Sequence, residues 1–156
     1  MGRSGRPASG EGLGWGLVAA QFALLGVIAL EVLRARRVGG VLGLLGITLI
    51  AAGTVPLVLA SRSLGRRLRA HPAPHEEAVL RTTGVYGLVR HPNYLGLLLL
   101  AHGGLGLART RRSLLALAAL SVLLHVKADF EERLLRERFP DYAAYAARVS
   151  RIVPGL

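Results

Sequence analysis

Long apolar stretches alternate with short basic segments along this chain. Residues 13–30 are nearly all apolar or Gly, broken only by Gln21, and residues 38–60 carry no charge. Each stretch is about the ~20 residues that a helix needs to cross the hydrocarbon core of a bilayer. Two shorter apolar runs follow, at 94–108 and 114–126. The last falls well short of a span, but its helical pattern continues without Gly or Pro as far as Phe139. Phe130, Leu134, Leu135 and Phe139 lie on or near one stripe of that extension, so the helix is expected to leave the membrane as an amphipathic arm. Pro140 ends it. A short helix is expected next, with Asp141 in its first turn and Tyr142, Tyr145 and Val149 spaced along one face. The pattern predicts an all-α integral membrane protein with about four transmembrane helices, at 13–33, 38–60, 92–108 and 114–126. A cytoplasmic segment at 61–91 and a cytoplasmic helical tail at 127–156 complete a single domain over 1–156.

Composition agrees with the pattern. The 156 residues are 52% hydrophobic, with a mean hydropathy of +0.45 and a net charge of +11. Arginines fill the gaps between apolar runs: Arg34, Arg36 and Arg37; Arg62, Arg66, Arg67 and Arg69; Arg109, Arg111 and Arg112. Anionic headgroups and topology selection require basic gaps of this kind. No aromatic residues interleave with them, which argues against a nucleic-acid platform. Of the 20 basic residues, fourteen fall in the N-terminus, middle segment and C-terminus, and six in the two short connections opposite. Both termini are therefore expected on the cytoplasmic side. There is no Cys, so disulfides, thiol nucleophiles and Cys-based metal sites are excluded. The N-terminal Met-Gly lacks the Ser or Thr at position six of a myristoylation signal. The first apolar run, longer than a signal-peptide core, is expected to remain as an anchor. In the second span, Gly39-xxx-Gly43 and Gly46 offer a small-residue face for close helix packing.

Loop length brings two polar clusters together. Residues 109–113 are too few for anything but an antiparallel hairpin. His91 lies twenty residues before Arg111 and Glu131 twenty after, so each sits about 30 Å from the turn at 1.5 Å per residue. The hairpin is thus expected to set Arg90-His91-Pro92-Asn93-Tyr94 level with Glu131-Glu132 at one interface. An Arg, a His, a Tyr and two carboxylates beside an apolar wall suit a charged cofactor and a lipophilic substrate. Plainer readings stand beside this one. Glu132 with Arg136 and Asp129 with Arg133 have the spacing of helix-surface ion pairs. Arg90 and Tyr94 have the chemistry of interface anchors, and Pro92 suits a first helical turn. His71 and His75, followed by Glu76-Glu77, have metal-ligand spacing, but Pro72 and Pro74 break the helix it requires, so no metal site is expected. His102, inside a span beside Gly103-Gly104, suits an interhelical hydrogen bond as well as a functional role.

Gly84-Val85-Tyr86 followed by Arg90-His91-Pro92-Asn93-Tyr94-Leu95-Gly96 resembles the signature of the isoprenylcysteine carboxyl methyltransferases and related phospholipid methyltransferases. Its second part is similar to Glu131-Glu132, Leu135, Phe139, Tyr142, Tyr145, Arg148-Val149 and Pro154. The resemblance covers roughly the C-terminal half, and Gly87 stands where relatives often carry a larger or polar residue. It implies S-adenosylmethionine as cofactor, bound at the cytoplasmic end of the hairpin. Tyr86, His91, Pro92, Tyr94, Gly96, Glu131 and Glu132 would form the cofactor-binding set, with Arg90 and Glu132 at the reacting centre. The expected partner is a lipophilic or lipidated substrate, with membrane lipids around it and no nucleic acid. Carboxylate methylation is the favoured reaction, because the combined motif most resembles that of the carboxyl methyltransferases; an ionised acceptor would need only positioning. Lipid amine methylation, which needs a base, is the alternative. A sterol-reductase-type fold shares parts of the motif, but this chain is short for one. Outside catalysis, a small scaffold or transporter subunit would use the Gly faces for assembly and the Arg clusters for headgroups.

Overall fold

The computed structural model describes residues 11–35, 39–64 and 80–155. Five helices follow in order: α1 Glu11–Arg34, α2 Gly40–Leu64, α3 Pro92–Ala108, α4 Arg111–Arg138 and α5 Tyr142–Ala146, with a 3-10 turn at Gly84–Gly87 before α3. No strand occurs among the described residues, and the protein is an all-α membrane protein. Three helices, α1, α2 and α4, are long and apolar enough to cross a membrane. At 17 residues α3 is shorter and reaches about 26 Å against a ~30 Å hydrocarbon core, so the expectation of four spans is approximate. Trp15, Phe22, Leu42, Leu44, Ile47, Val55, Leu115 and Val122 all point outward. A helix that is apolar on its outer face suits a lipid surround rather than water. The arginines at 36–37 and 66–69, and the His71/His75 pair with Glu76-Glu77, lie outside the described residues.

Small residues decide the packing of α2 on α3. A methyl group on Gly46 would lie 2.8 Å from the Gly103 carbonyl oxygen, and one on Gly53 would lie 2.7 Å from that of Gly96. The two helices run antiparallel and touch backbone to backbone at both levels, seven residues apart on each. Close approach of this kind replaces the hydrophobic driving force that lipid removes. Of the expected small-residue face, Gly46 makes this contact, whereas nothing lies within 4 Å of a methyl group placed on Gly39. The contacting glycines instead start one turn into the helix, where α3 has come alongside.

The hairpin turn is closed by its own polar groups. Arg109 caps α3 in the left-handed region (φ 52°), and its Nη2 donates to the Gly39 carbonyl at 2.9 Å. Thr110 starts α4 with a reciprocal cap, in which the Ser113 N–H donates to Thr110 Oγ1 at 3.1 Å and the Thr110 N–H to Ser113 Oγ at 3.2 Å. The core sits where α1, α3 and α4 meet, around Ile28, Ala101, Leu117, Leu120, Leu124 and Ala128. Pro140 ends α4 after Arg138, as expected. Beyond α5 the chain turns back, and Val89 and Ser150 form a parallel bridge. The Arg90 and His91 N–H groups donate to the carbonyls of Ser150 (2.8 Å) and Arg151 (2.9 Å). The tail is thereby fastened to the entrance of α3.

Candidate active site at the open end of the hairpin

The α3 entrance and the last turns of α4 converge, as equal reach from the turn requires. His91 is the residue before the first helical turn and Pro92 the first within it, where a missing N–H costs nothing. Because the His91 backbone N–H is already bound by the tail, its ring is free to face α4. There Nε2 lies 3.2 Å from Glu132 Oε1 and Nδ1 lies 3.3 Å from Glu131 Oε2. One turn further along α3, the Tyr94 hydroxyl donates to Glu131 Oε1 at 2.6 Å. The His91 and Tyr94 rings stack at 5.1 Å, 5° from parallel.

Glu132 is the hub. It is 3% exposed and receives Arg90 Nε at 3.1 Å and Arg136 Nη2 at 3.0 Å. Arg151 Nε also stands 3.3 Å from its Oε1, outside good hydrogen-bond geometry, since that nitrogen has no hydrogen-bond partner among the described residues. A carboxylate this buried is tolerable only when paired and hydrogen-bonded, and here Arg90, Arg136 and His91 bond it while Arg151 adds a fourth basic group beside it. Arg90 is fixed in turn: its Nη1 donates to the carbonyls of Ala146 (2.7 Å) and Val149 (2.5 Å).

Burial opposes charge on His91, but hydrogen bonds to Glu131 and Glu132 outweigh it and raise its pKa above 6.5. Burial first, then the Glu131 charge, pushes Tyr86 up to about 12. Tyr145 is pushed up to about 12, again mainly by burial. Tyr142 is raised by the same cause, with Glu132 adding to it. These phenols therefore stay neutral donors at physiological pH. Tyr145 uses its proton on the Tyr86 carbonyl at 2.6 Å, whereas the buried Tyr142 hydroxyl has no partner among the described residues. Beside Arg90, residues 146–151 wall an open groove of about 300 Å³.

Arg90, His91, Tyr94, Glu131 and Glu132 are thus in direct mutual contact. Tyr86 is held only through its backbone carbonyl, which accepts from Tyr145, and Pro92 lies under the cluster as the start of α3. Gly96 is placed differently: a methyl group there would meet Leu57 Cγ at 2.6 Å and the Gly53 carbonyl at 2.7 Å. Its face is occupied by α2, so the close approach it permits is between helix backbones. His102 is exposed and its Nδ1 lies 2.7 Å from the Leu98 carbonyl of its own helix; no interhelical bond forms among the described residues. The surface pairing of Glu132 with Arg136 exists, but that of Asp129 with Arg133 does not. Asp129 accepts from Arg151 at 2.5 Å, and Arg133 lies over the Phe130 ring. Sequence reasoning missed Arg151, whose contacts span the whole tail. It also missed the Gln21–Lys127 pair, for which the one polar residue inside the first apolar run was the available signal.

A helical membrane scaffold thus carries a buried ionic cluster at one end of a hairpin. A family model described as Phospholipid methyltransferase matches residues 41–142. The chain belongs to the phospholipid methyltransferase family and is a membrane methyltransferase, in agreement with the resemblance read from its motifs. The match takes in α2, α3 and α4 and leaves out α1 and the tail beyond Tyr142. No curated protein and no solved structure matches the chain.

Methyltransferases of this family imply S-adenosylmethionine in general, and the residues present fit such a molecule. It bears an ammonium and a sulfonium, suited to the Glu131 carboxylate, whose side chain keeps a fifth of its exposure. It also bears a carboxylate, suited to guanidinium donors such as Arg90 and Arg151. The Tyr142 hydroxyl, without a partner among the described residues, adds a donor close to Glu132 and Arg90.

Proposed function

We propose that the protein methylates the carboxylate of a lipid-like, isoprenoid-type acceptor at the membrane interface, with S-adenosylmethionine as donor. In this reading the donor, when bound, supplies an electrophilic methyl group on a sulfonium. Glu131, His91 and Tyr94 hold its cationic end, with Tyr86 and Pro92 shaping the wall. Glu132 fixes Arg90, and Arg90 orients the acceptor carboxylate. Gly96 serves the site only by bringing α2 against α3. Such a displacement neutralises charge, so alignment and exclusion of water are the main requirements. The basic asymmetry supports a cytoplasmic site, with both termini on the same side.

The observation that carries the reading is the state of the site's bases. His91 is bonded to both carboxylates and Glu132 is held by four basic groups, so little free base remains for deprotonating an amine. Guanidiniums that position an anion are plentiful. The second reading, methylation of a phospholipid amine, is favoured by the printed description of the family. It would use Glu131, the more exposed carboxylate, as base.

Membranes bearing the protein, supplied with methyl-labelled donor and either a prenylated carboxylate or phosphatidylethanolamine, separate the two. A methyl ester releases its label as methanol in alkali, whereas an N-methyl group does not. Label in lipid that alkali fails to release would overturn carboxylate methylation in favour of the amine.

A further inference from the structure

Gln21 and Lys127 meet inside the helix bundle. Lys127 is 2% exposed and Gln21 6%, and the Lys127 ammonium donates to Gln21 Oε1 at 2.7 Å. That ammonium also sits 5.3 Å from the centre of the Tyr94 ring, the ring whose hydroxyl holds Glu131. Lys127 is four residues before Glu131 on α4, so the two share one helix face about 6 Å apart along the axis. One cation on α4 thus reaches both α1, through Gln21, and α3, through Tyr94.

An apolar residue would fill this position at lower cost. Burying an ammonium carries a desolvation penalty, and ionisable groups within membrane helices are retained where they act. Helix association alone does not require it, because α1 already packs on α4 through apolar side chains such as Ile28 and Leu124. The placement has a chemical sense. Glu131 is held by neutral Tyr94 and by His91, but the four basic groups of the cluster converge on Glu132. Lys127 lies over the Tyr94 ring and so braces, from inside the bundle, the side chain whose hydroxyl holds Glu131.

We propose that Lys127, oriented by Gln21, is a positioning residue that holds the Tyr94 ring, and through its hydroxyl Glu131, in place for the cationic end of the methyl donor. Helix α1, which carries no motif, then takes part in the site through this one contact. Gln21 from α1, Tyr94 and His91 from the α3 entrance, and Glu132 from α4 are among the groups around Lys127 and Glu131.

This inference rests on the donor site proposed above, and a double-mutant cycle separates the two. Isothermal titration of S-adenosylmethionine is run on purified full-length wild type, Lys127→Gln, Glu131→Gln and the double variant. Lys127→Gln removes the charge and keeps a partner for Gln21; Lys127→Met replaces it if the first variant does not fold. Loss of Lys127 is expected to weaken donor affinity roughly tenfold, the scale of coupling between contacting neighbours. Lys127→Arg should recover most of it. The double variant should bind no more weakly than Glu131→Gln alone, because Lys127 acts through Glu131. Additive losses, or unchanged affinity in a folded Lys127 variant while Glu131→Gln is impaired, would overturn the inference and leave the donor site standing. Unchanged affinity in Glu131→Gln would overturn both.

Discussion

Replacing Glu132 by Gln removes one negative charge from the most connected side chain of the site. The carboxylate is 3% exposed. Its partners differ in exposure: the side chains of His91 and Arg90 are 6% and 13% exposed, Arg151 28% and Arg136 52%. Removing one partner of a buried pair costs about 3–5 kcal/mol, because the other charge stays buried and uncompensated. Glutamine keeps an acceptor oxygen for Arg90 or His91, and the Arg136 contribution is already screened by solvent. The loss should therefore fall near the lower end, about 3 kcal/mol. For a chain of this size that is a fall in Tm of roughly 6–12 °C, read by thermal scanning in detergent. The tail should loosen too, since Arg90 bridges Glu132 to the carbonyls of Ala146 and Val149; faster proteolysis after α4 would report it. A Tm within about 2 °C of wild type would refute the argument that Glu132 holds the cluster together.

Three further outcomes follow from the same geometry. His91 has a folded pKa raised above 6.5, so its contribution to stability is fully present below about pH 6.5 and is lost as pH rises through the folded value. Tm should fall across that rise in wild type, with a smaller pH-dependent fall in His91→Asn. Gly103→Ala would place a methyl group 2.6 Å from the Gly46 carbonyl and should cost about 1–3 kcal/mol by forcing α2 from α3. Gly16→Ala, with nothing within 4 Å, should leave Tm unchanged or slightly raised. Cysteines introduced at Ser4 and Ser150 should resist membrane-impermeant reagent in intact cells and react after permeabilisation. Labelling from outside would contradict cytoplasmic termini.

Much of the site was legible because it depends on distance along the chain. A five-residue connection forces a hairpin, and helix rise then puts His91 level with Glu131 without reference to side-chain contacts. The long α4 was legible for a similar reason, since nothing between Arg111 and Pro140 breaks a helix. What escaped was pairing set by tertiary packing. Glu132 has the spacing of a solvated surface residue, and its burial comes from a tail that returns to Val89 through a single bridge. Arg151 is invisible for the same reason, and so is the preference of Asp129 for it over Arg133. Gly96 sits in a functional signature yet faces Gly53, because the pattern of small residues does not say which helix they will meet. Gln21 was noticeable as a lone polar residue, but its partner lies more than a hundred residues away.

The central claim is that the cluster of Arg90, His91, Tyr94, Glu131 and Glu132 binds S-adenosylmethionine. Calorimetric titration of that compound into wild type and Glu131→Gln tests it most directly. Glu131 is bonded to Tyr94 and His91 but is not the hub of the fold, so the variant should remain folded. Losing one charged hydrogen bond, worth roughly 1.5–3 kcal/mol, should weaken affinity by about tenfold to a hundredfold. Saturable binding in wild type with that loss in the variant is the result expected. Equal affinity in the two proteins would mean that the carboxylate takes no part in holding the donor, and would contradict the assignment of the site.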